Sequence, residues 1–292
     1  MIVMSYLLLL DGYCNADAQV HFARDHRNSR ELVESIPLPQ NESKRTRDDL
    51  CRLFAAYPMS CTGIEITEKH DVYVIMKNGA RIIYDDHKKK SSEEKLADPD
   101  LQDMLEQAYI PGQVNGNPAE NSDPGRRRVT SFFQAIYGET EIDVTGNTRN
   151  VEFVNHKVAF NAMEGAADAL HRVDENLAVL IKEKPELSRY VNPLGGTLKW
   201  RVIEGTQRLS PHAFAIAIDL NPDQGAYWRW RTEGNHVDIR KEFPPALIAL
   251  FEEQGFIWGG KWYHYDMMHF EYRPELLCPK IVVTKSSTAY NQ

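Results

Sequence analysis

The sequence predicts an α+β protein, because helical and strand patterns follow one another without the regular βαβ order of a doubly wound sheet. The clearest helical pattern runs from about Phe160 to Lys184, where apolar residues recur at three- and four-residue steps. The clearest strand pattern is a hairpin from Asp71 to Asp86, with apolar runs on both sides of an Asn78-Gly79 turn. Both kinds of element are therefore expected, in separate parts of one chain.

Shorter patterns predict the remaining elements. Helices are expected over Arg45 to Tyr57, over Leu96 to Tyr109, and from Pro244-Pro245 to Gln254, while an apolar pattern without an assigned element spans Val129 to Tyr137. Strands are expected over Thr197 to Ile203, Ala215 to Leu220, Phe256 to Trp258 and His269 to Tyr272. The Gly-, Pro- and Asn-rich stretch from Pro111 to Gly125 predicts a long surface loop.

The composition is that of a globular protein with an acidic balance. The 292 residues suffice to bury a core, and 42 acidic residues face 34 basic ones, for a formal net charge of −8. The basic triplets Arg126-Arg127-Arg128 and Lys88-Lys89-Lys90 lie beside turn-forming residues and are interpreted as solvated surface. No nucleic-acid partner is therefore expected.

The N-terminus has the pattern of an export signal. An apolar run from Ile2 to Leu10, too short to span a bilayer, precedes the small-x-small site Ala16-Asp17-Ala18. We therefore expect a cleaved signal peptide at 1–18 and a periplasmic or extracellular protein. An accessory region at 19–155, a catalytic domain at 156–280 and a tail at 281–292 are expected to follow. No other stretch is long and apolar enough to cross a membrane.

The four cysteines do not form a thiolate metal site, because the chain contains no C-x-x-C pair. The sequence leaves two alternatives for Cys51 and Cys61, which are ten residues apart: a small disulfide loop if the compartment is oxidising, or two small buried apolar side chains. Cys14 falls in the expected signal peptide, and Cys278 is then left unpaired.

One segment places an imidazole near a carboxylate. On the expected strand from Ala215 to Leu220, side chains alternate, so Ala215, Ala217 and Asp219 share one face. The two alanines leave a hollow, and His212 precedes the strand in a turn that can fold over it. A histidine and an aspartate that converge on open space are typical ligands of a catalytic zinc ion.

A second segment supplies further candidates. His269 is the predicted third ligand, and Asp266 lies near enough to accept a proton without occupying a metal position. Two histidines and one carboxylate leave a fourth position open, which is typical of catalytic and not structural zinc. From spacing alone, the alternative remains that these histidines are hydrogen-bonded core residues.

The pattern Ser210-x-His212-x6-Asp219, followed by Asp266-x-x-His269, resembles the signature of the VanY-type D-alanyl-D-alanine carboxypeptidases. That family also contains vancomycin-resistance dipeptidases and phage L-alanyl-D-glutamate endopeptidases. The likeness covers about residues 195–275 and extends to the Trp-Gly-Gly at 258–260 and the His-Phe-Glu at 269–271. It implies a small mixed or antiparallel sheet flanked by helices, with a zinc site in a cleft, as in hedgehog-like domains.

The resemblance also implies a role for each matching residue. His212, Asp219 and His269 fall where the family holds Zn²⁺, Asp266 where it has the general base, and Ser210 where a hydroxyl binds substrate. An upstream arginine commonly contacts the substrate or the developing oxyanion; Arg201 is the first choice and Arg208 the second. The family usually has glycine where this chain has Ala215.

Four other side chains near the two segments have open interpretations. His264 is an alternative ligand, and Glu271 is placed to orient a ligand from behind or to be solvated. Trp258 is expected to line the cleft as a substrate contact, and either it or Trp262 also fits core packing. Asp85-Asp86-His87 is interpreted as surface loop despite its metal-ligand composition.

The predicted function is hydrolysis of D-amino-acid-containing bonds in peptidoglycan stem peptides by a zinc carboxypeptidase, with the stem peptide as partner. The alternatives are an L-Ala-D-Glu endopeptidase of the same family and a non-catalytic protein with a zinc site on a hedgehog-like scaffold. A metal-free structural or wall-binding protein is a third alternative. The sequence predicts no oligomeric state.

Overall fold

The computed structural model describes residues 18–21, 44–112, 116–230 and 240–277. Within them, helices surround three small antiparallel sheets, which confirms the α+β class. The strands are β1 (Ala18–His21), β2 (Cys61–Ile66), β3 (Val72–Met76), β4 (Arg81–Ile83), β5 (Thr148–Phe153), β6 (His156–Asn161), β7 (Ala217–Asp219), β8 (Phe256–Trp258) and β9 (His269–Tyr272). The helices are α1 (Lys44–Ala56), α2 (Ser92–Ala97), α3 (Leu101–Leu105), α4 (Thr130–Tyr137), α5 (Glu141–Gly146), α6 (Ala166–Glu183), α7 (Ser188–Val191), α8 (Pro245–Glu253) and α9 (Pro274–Leu277).

The first sheet has the strand order β1-β2-β3-β4 and contains the predicted hairpin. Its β3–β4 turn is at the expected Asn78-Gly79, where Gly79 adopts a φ of 86° that suits glycine. The predicted helix over Leu96 to Tyr109 is instead two short helices, α2 and α3. The break falls at Asp98-Pro99, since proline disfavours helical backbone in the residue before it.

The long helix α6 begins later than its apolar periodicity predicts. Phe160 belongs to β6, and the chain leaves the hairpin through left-handed conformations at Glu164 (φ 50°) and Gly165 (φ 76°) before the helix starts at Ala166. The β5–β6 hairpin was missed because its buried positions continue the apolar pattern of the helix. The predicted domain boundary at residue 155 falls in the turn of this hairpin, so paired strands cross it.

The third sheet has the order β7-β9-β8, with β9 in the centre. Antiparallel pairing with β7 sets Asp219 opposite His269 and Ala217 opposite Glu271. The predicted strand over Thr197 to Ile203 does not form a ladder and contributes only an isolated bridge between Val202 and Leu209. The small sheet therefore joins the two segments that the sequence singled out.

One hydrophobic core extends through the described residues, from α1 in the first half to β9 in the second. Cys51 and Cys61 are both buried and free, as in the second of the two alternatives: one lies on α1 and the other on β2, each packed as a small apolar side chain. Within the same ranges, no helix has both the length and the apolar character needed to span a membrane.

Several predictions concern other parts of the chain. Residues 1–17 of the expected signal peptide, the tail at 281–292, Cys14 and Cys278 lie outside the described residues.

Candidate metal centre

His212 is positioned by a tight turn at the edge of the small sheet. A 3₁₀ helix spans Pro211–Phe214, and its first residue is a proline, whose fixed φ suits a helical start. The backbone N–H of His212 donates to Ser210 Oγ at 3.4 Å, which caps the turn. The imidazole Nδ1 lies 2.5 Å from the carbonyl oxygen of Thr197, which leaves Nε2 facing the neighbouring ligand-type side chains.

The turn continues into β7 through Ala215, and this corrects the predicted strand face. Ala215 has φ 54° and ψ 39°, a left-handed conformation that closes the 3₁₀ helix, so the strand starts only at Ala217. Asn161 on β6 holds the turn in place, because its side-chain amide donates to the carbonyl of Phe214 at 3.1 Å. Glycine adopts this conformation without strain, which gives a physical reason for the family's preference at position 215.

Asp219 and His269 meet because they are opposite each other in the β7–β9 ladder. Asp219 Oδ1 lies 2.9 Å from His269 Nδ1 and 3.2 Å from His212 Nε2, and the two imidazole nitrogens are 3.3 Å apart. These three side chains form a group whose ligand atoms all lie within 4.8 Å of one another. The arrangement offers two nitrogen donors and one oxygen donor to a single metal ion.

The backbone at Asp219 leaves no room for a side chain beside it. The N–H of Gly195 donates to the carbonyl of Asp219 at 2.9 Å. A Cβ at Gly195 would lie 2.9 Å from the Cβ of Asp219, closer than real contacts allow. Glycine at position 195 therefore permits the approach that fixes the carboxylate.

The charges of the cluster favour a cation. Burial opposes ionisation of His269, but the hydrogen bond to Asp219 and the nearby carboxylates of Glu271 and Asp266 raise its pKa to about 9. Burial likewise opposes ionisation of Asp219, yet His212 and His269 hold the pKa of this carboxyl far below its usual range. Without a metal ion, a protonated imidazole is the cation that balances these carboxylates.

Asp266 lines the same cleft on the loop before β9. Its backbone is fixed, since its N–H donates to the carbonyl of Gly259 at 3.0 Å and its carbonyl accepts from the N–H of His269 at 3.3 Å. Burial, together with the Asp219 charge, raises the pKa of Asp266 to about 6 against the opposing effect of the two imidazoles. Its Oδ1 is buried and has no hydrogen-bond partner among the described residues, so this oxygen is free to accept a proton.

One comparison with known proteins matches the part of the chain that contains His212, Asp219, Asp266 and His269. Residues 204–272 match the family model described as D-alanyl-D-alanine carboxypeptidase. The match confirms the resemblance seen in the sequence motifs and supports a peptidase. No curated protein and no solved structure matches the chain.

The matched segment contains His212, Asp219, Asp266 and His269 and begins three residues after Arg201. His212, Asp219, Asp266 and His269 line a cleft of about 340 Å³. The other lining residues come from inside and outside the matched segment: Arg126, Arg128, Arg201, Ile203, Glu204, Ser210, Pro211, Tyr227, Arg229, Trp262, His264 and Met268. The open side of the ligand group therefore faces a space large enough for part of a peptide.

Two of the predicted substrate contacts lie in the cleft lining. Arg201 is exposed, and it also lines the adjacent groove beside Gly195 and Gly196. Ser210 lines the cleft, but it is almost fully buried and its hydroxyl oxygen already accepts the backbone N–H of His212. Arg208 lies instead in a neighbouring pocket of about 240 Å³.

Trp258 does not contact the cleft, and this prediction is wrong. The side chain is fully buried, its indole N–H donates to the carbonyl of Met267 at 2.8 Å, and its ring stacks on Phe243 at 4.8 Å. The strand β8 points this ring into the core, and the second tryptophan, Trp262, is the one that lines the cleft. His264 is held by Asp123, with Nδ1 2.7 Å from the carboxylate, and is not part of the metal-ligand group.

Arg126 and Arg128 contribute to the cleft, which their sequence pattern did not predict. These arginines were interpreted as solvated surface, but Arg127 and Arg128 are buried and Arg126 and Arg128 line the cleft. Arg128 binds Glu271 with two hydrogen bonds of 2.8 and 2.5 Å, and Glu271 Oε2 lies 3.6 Å from His269 Nε2. Glu271 thus lies beside the ring nitrogen of His269 that is not a ligand atom, where it orients the imidazole, as one of the two interpretations from the sequence had it. Arg128 balances the negative charge of Glu271. The sequence signal that could have predicted this burial is the arginine run in an otherwise acidic chain, since arginine suits buried ion pairs better than lysine.

Proposed function

We propose that the chain is a zinc-dependent peptidase that cleaves D-amino-acid-containing bonds of peptidoglycan stem peptides, in the manner of a D-Ala-D-Ala carboxypeptidase. The observation that carries the proposal is the convergence of His212 Nε2, Asp219 Oδ1 and His269 Nδ1, with Asp266 in the same cleft. The family match of residues 204–272 supports the peptidase class and the substrate type.

The donor atoms fit zinc in type and spacing. Nitrogen and oxygen donors at the usual bond lengths around tetrahedral zinc are about 3.3 Å apart. Two of the three separations, 3.2 and 3.3 Å, agree with that value, and the third, 2.9 Å between Asp219 and His269, is about 0.4 Å shorter. His212 Nδ1 against the Thr197 carbonyl and His269 Nε2 against Glu271 provide the outer contacts that orient zinc-binding imidazoles.

The protein groups then have separate tasks. A bound zinc ion supplies Lewis-acid polarisation of the scissile carbonyl and lowers the pKa of a water molecule. Asp266 accepts the proton of the attacking water and returns one to the leaving amine, because its buried Oδ1 has no partner among the described residues. Arg201, exposed at the cleft, stabilises negative charge that develops on the carbonyl oxygen.

A peptidoglycan substrate makes an exported location part of the proposal. The non-catalytic alternative is less well supported, because a binding protein has no need of a buried carboxylate with an unpaired oxygen beside the ligand group. The residues before the matched segment are proposed to shape the cleft, since Arg126 and Arg128 line it.

The decisive experiment is mass spectrometry of muropeptides before and after treatment with zinc-loaded protein. Loss of one D-alanine from pentapeptides is the expected result, and release of a fragment at L-Ala-D-Glu would identify the endopeptidase alternative. The matched control is Asp266→Asn, which should retain zinc and lower kcat by a factor of roughly 10² to 10⁴. An unchanged muropeptide profile with fully zinc-loaded wild type would exclude the proposal.

A further inference from the structure

A line of buried charged side chains lies behind the metal-ligand group. It begins beside His269 with Glu271 on β9 and continues through Arg273 to Glu275 on α9, and these last three side chains are fully buried. Arg273 Nη1 lies 3.3 Å from Glu271 Oε1, and its Nε donates to Glu275 Oε1. At the far end, the hydroxyl of Tyr57, just after α1, donates to Glu275. The line therefore connects a candidate metal ligand to the first half of the chain.

Arg128 binds the end of this line that is next to the metal-ligand group. Its Nε and Nη2 donate to the two oxygens of Glu271 at 2.8 and 2.5 Å, and both side chains are buried. A guanidinium that binds both oxygens of a carboxylate fixes the plane of that carboxylate as well as its position. Since Arg273 contacts Oε1, it is Arg128 Nη2 that holds Oε2, the oxygen nearer to His269 Nε2.

The ring of His269 needs an acceptor on the side away from the ligand group. Its Nδ1 is the ligand atom, so the hydrogen of the neutral, metal-binding ring is on Nε2. This nitrogen is buried and has no hydrogen-bond partner among the described residues. Glu271 Oε2 lies 3.6 Å from it, slightly beyond hydrogen-bond distance. The exact placement of Oε2 therefore decides whether the ring hydrogen is accepted.

The segment that carries Arg128 is fixed against the small sheet. The carbonyl of Pro124 accepts from Trp262 Nε1 at 2.7 Å, and the carbonyl of Gly125 accepts from Arg273 Nη1 at 2.6 Å. Gly125 has a φ of 94°, and a Cβ there would lie 2.4 Å from a side-chain carbon of β8. Glycine therefore permits a close approach that gives Arg128 a defined position, although this arginine lies outside the matched segment 204–272.

We propose that Arg128 is a positioning residue of the metal centre, which holds Glu271 Oε2 toward His269 Nε2 and thereby increases the affinity of the ligand group for zinc. The inference rests on the proposed function, and it makes a residue before the matched segment part of the metal centre and not only of the cleft wall. A second effect of Arg128 has the opposite sign, because its positive charge by itself disfavours a nearby cation. Positioning and charge therefore predict opposite changes in zinc affinity when the arginine is removed.

The test is the zinc dissociation constant of the full-length protein, measured by competition with a chromophoric chelator. In Arg128→Gln, the Kd should rise about 10- to 100-fold, the usual cost of losing an outer contact of a metal-binding imidazole. In Arg128→Lys, one ammonium group replaces the two-pronged guanidinium, so the Kd should rise by a smaller factor. A Kd in Arg128→Gln at or below the wild-type value would overturn the proposal. If Arg128→Gln does not fold, Arg128→Lys decides, and an unchanged Kd in that variant would overturn it equally.

The matched control is Arg127→Gln, which changes the adjacent buried arginine. Arg127 is paired with Glu106 and not with Glu271. Its loss should lower the Tm, because it also breaks an ion pair of a buried arginine, but the zinc Kd should stay at the wild-type value. An equal rise of the Kd in Arg127→Gln and Arg128→Gln would mean that both act through general loss of structure, and would reject a positioning role.

A double-mutant cycle tests whether Arg128 acts through Glu271. Glu271→Gln alone should raise the zinc Kd, and adding Arg128→Gln to it should change the Kd by less than about threefold, because the side chain to be positioned is already altered. If the two changes multiply their effects on the Kd, Arg128 acts independently of Glu271 and the proposal falls.

Failure of the positioning role and failure of the function give different results. If the zinc Kd depends on Arg128 as expected but wild type cleaves no muropeptide, the positioning role stands and the peptidase proposal falls. If wild type cleaves muropeptides and the Kd does not depend on Arg128, the function stands and the positioning role falls. A wild-type protein that binds no zinc would reject both.

Discussion

Two groups of ligand-type side chains lie in the described residues, and they differ in what balances their charge. One consists of His212, Asp219 and His269, and the other of Asp85, Asp86 and Asp100; in each, the ligand atoms lie within 4.8 Å of one another. In the second group, Lys90 lies within salt-bridge distance of Asp86 and Asp100. The first has no lysine or arginine within salt-bridge distance of Asp219 among the described residues.

The acidic group is already neutralised by Lys90. The lysine triplet at 88–90 was interpreted as solvated surface, which is wrong for Lys90: its side chain is only 6% exposed. Its Nζ lies 2.9 Å from Asp86, 3.2 Å from Asp100 and 3.0 Å from Asp103. Burial alone would favour the neutral amine, but these carboxylates raise the pKa of Lys90 above its ordinary value. Asp100 also accepts backbone N–H groups from Asp86 and Asp103, so its oxygens are occupied.

Proximity of ligand-type side chains therefore does not by itself define a metal site. The acidic group uses its oxygens for a lysine and for a helix cap, as a structural element does. The histidine group keeps an open side toward a cleft, and only a proton on an imidazole offsets its charge. This contrast supports the sequence-based interpretation of Asp85-Asp86-His87 as a surface loop and not a metal site.

The largest expected effect is on metal content. In His212→Ala, the zinc content measured by elemental analysis should fall from about one per chain to near zero, and kcat/KM should fall by at least roughly a thousandfold. The matched change in the other group, Asp85→Asn, should leave both at wild-type values. Zinc lost from Asp85→Asn and retained in His212→Ala would reverse the assignment of the two groups.

A second effect concerns the role of Lys90. Lys90→Met should lower the free energy of unfolding by about 3 kcal/mol, because it leaves buried carboxylates without their cation. Urea denaturation measures the loss, and calcium should restore part of it, since carboxylate oxygens are calcium ligands. The control Lys89→Met changes an exposed neighbour and should alter stability by less than about 0.5 kcal/mol. A Lys90→Met variant as stable as wild type would remove the basis of the comparison.

A third effect is proton release on metal binding. The pKa of His269 is raised to about 9, so the metal-free protein holds this proton at pH 7, whereas a metal ligand must be neutral. Binding of zinc at pH 7 should release about one proton, and the number should fall toward zero above pH 9. Titration calorimetry in buffers of different ionisation enthalpy measures it. Release that does not change from pH 7 to pH 10 would place the proton elsewhere.

The smallest expected effect is at Ala215. Ala215→Gly relieves a left-handed conformation but loses a buried methyl group and gains unfolded-state entropy, so stability should stay within about 0.5 kcal/mol of wild type. Ala217→Gly, on β7, gains no such relief and should lose about 1–2 kcal/mol. Equal losses in thermal unfolding would mean that position 215 is not strained.

Much of the fold was predictable where one local signal dominates. The β3–β4 hairpin followed from its Asn-Gly turn, and α8 from its paired prolines and the glycine after it. Errors arose where two signals overlap, as at Phe160, where the apolar pattern continues from a strand into a helix. Whether Cys51 and Cys61 form a disulfide was not predictable, because a spacing of ten residues says nothing about whether two thiols face each other.

The chemical types at the candidate site follow from the sequence alone: two imidazoles, a ligand carboxylate and a nearby second carboxylate, in an order that matches a peptidase family. Their geometry depends on the fold, because the β7–β9 register sets Asp219 opposite His269. The fold also turned Trp258 into the core, buried Arg128 behind Glu271 and left Arg208 without a carboxylate among the described residues. These are properties of packing between segments distant in sequence, and no local pattern carries them.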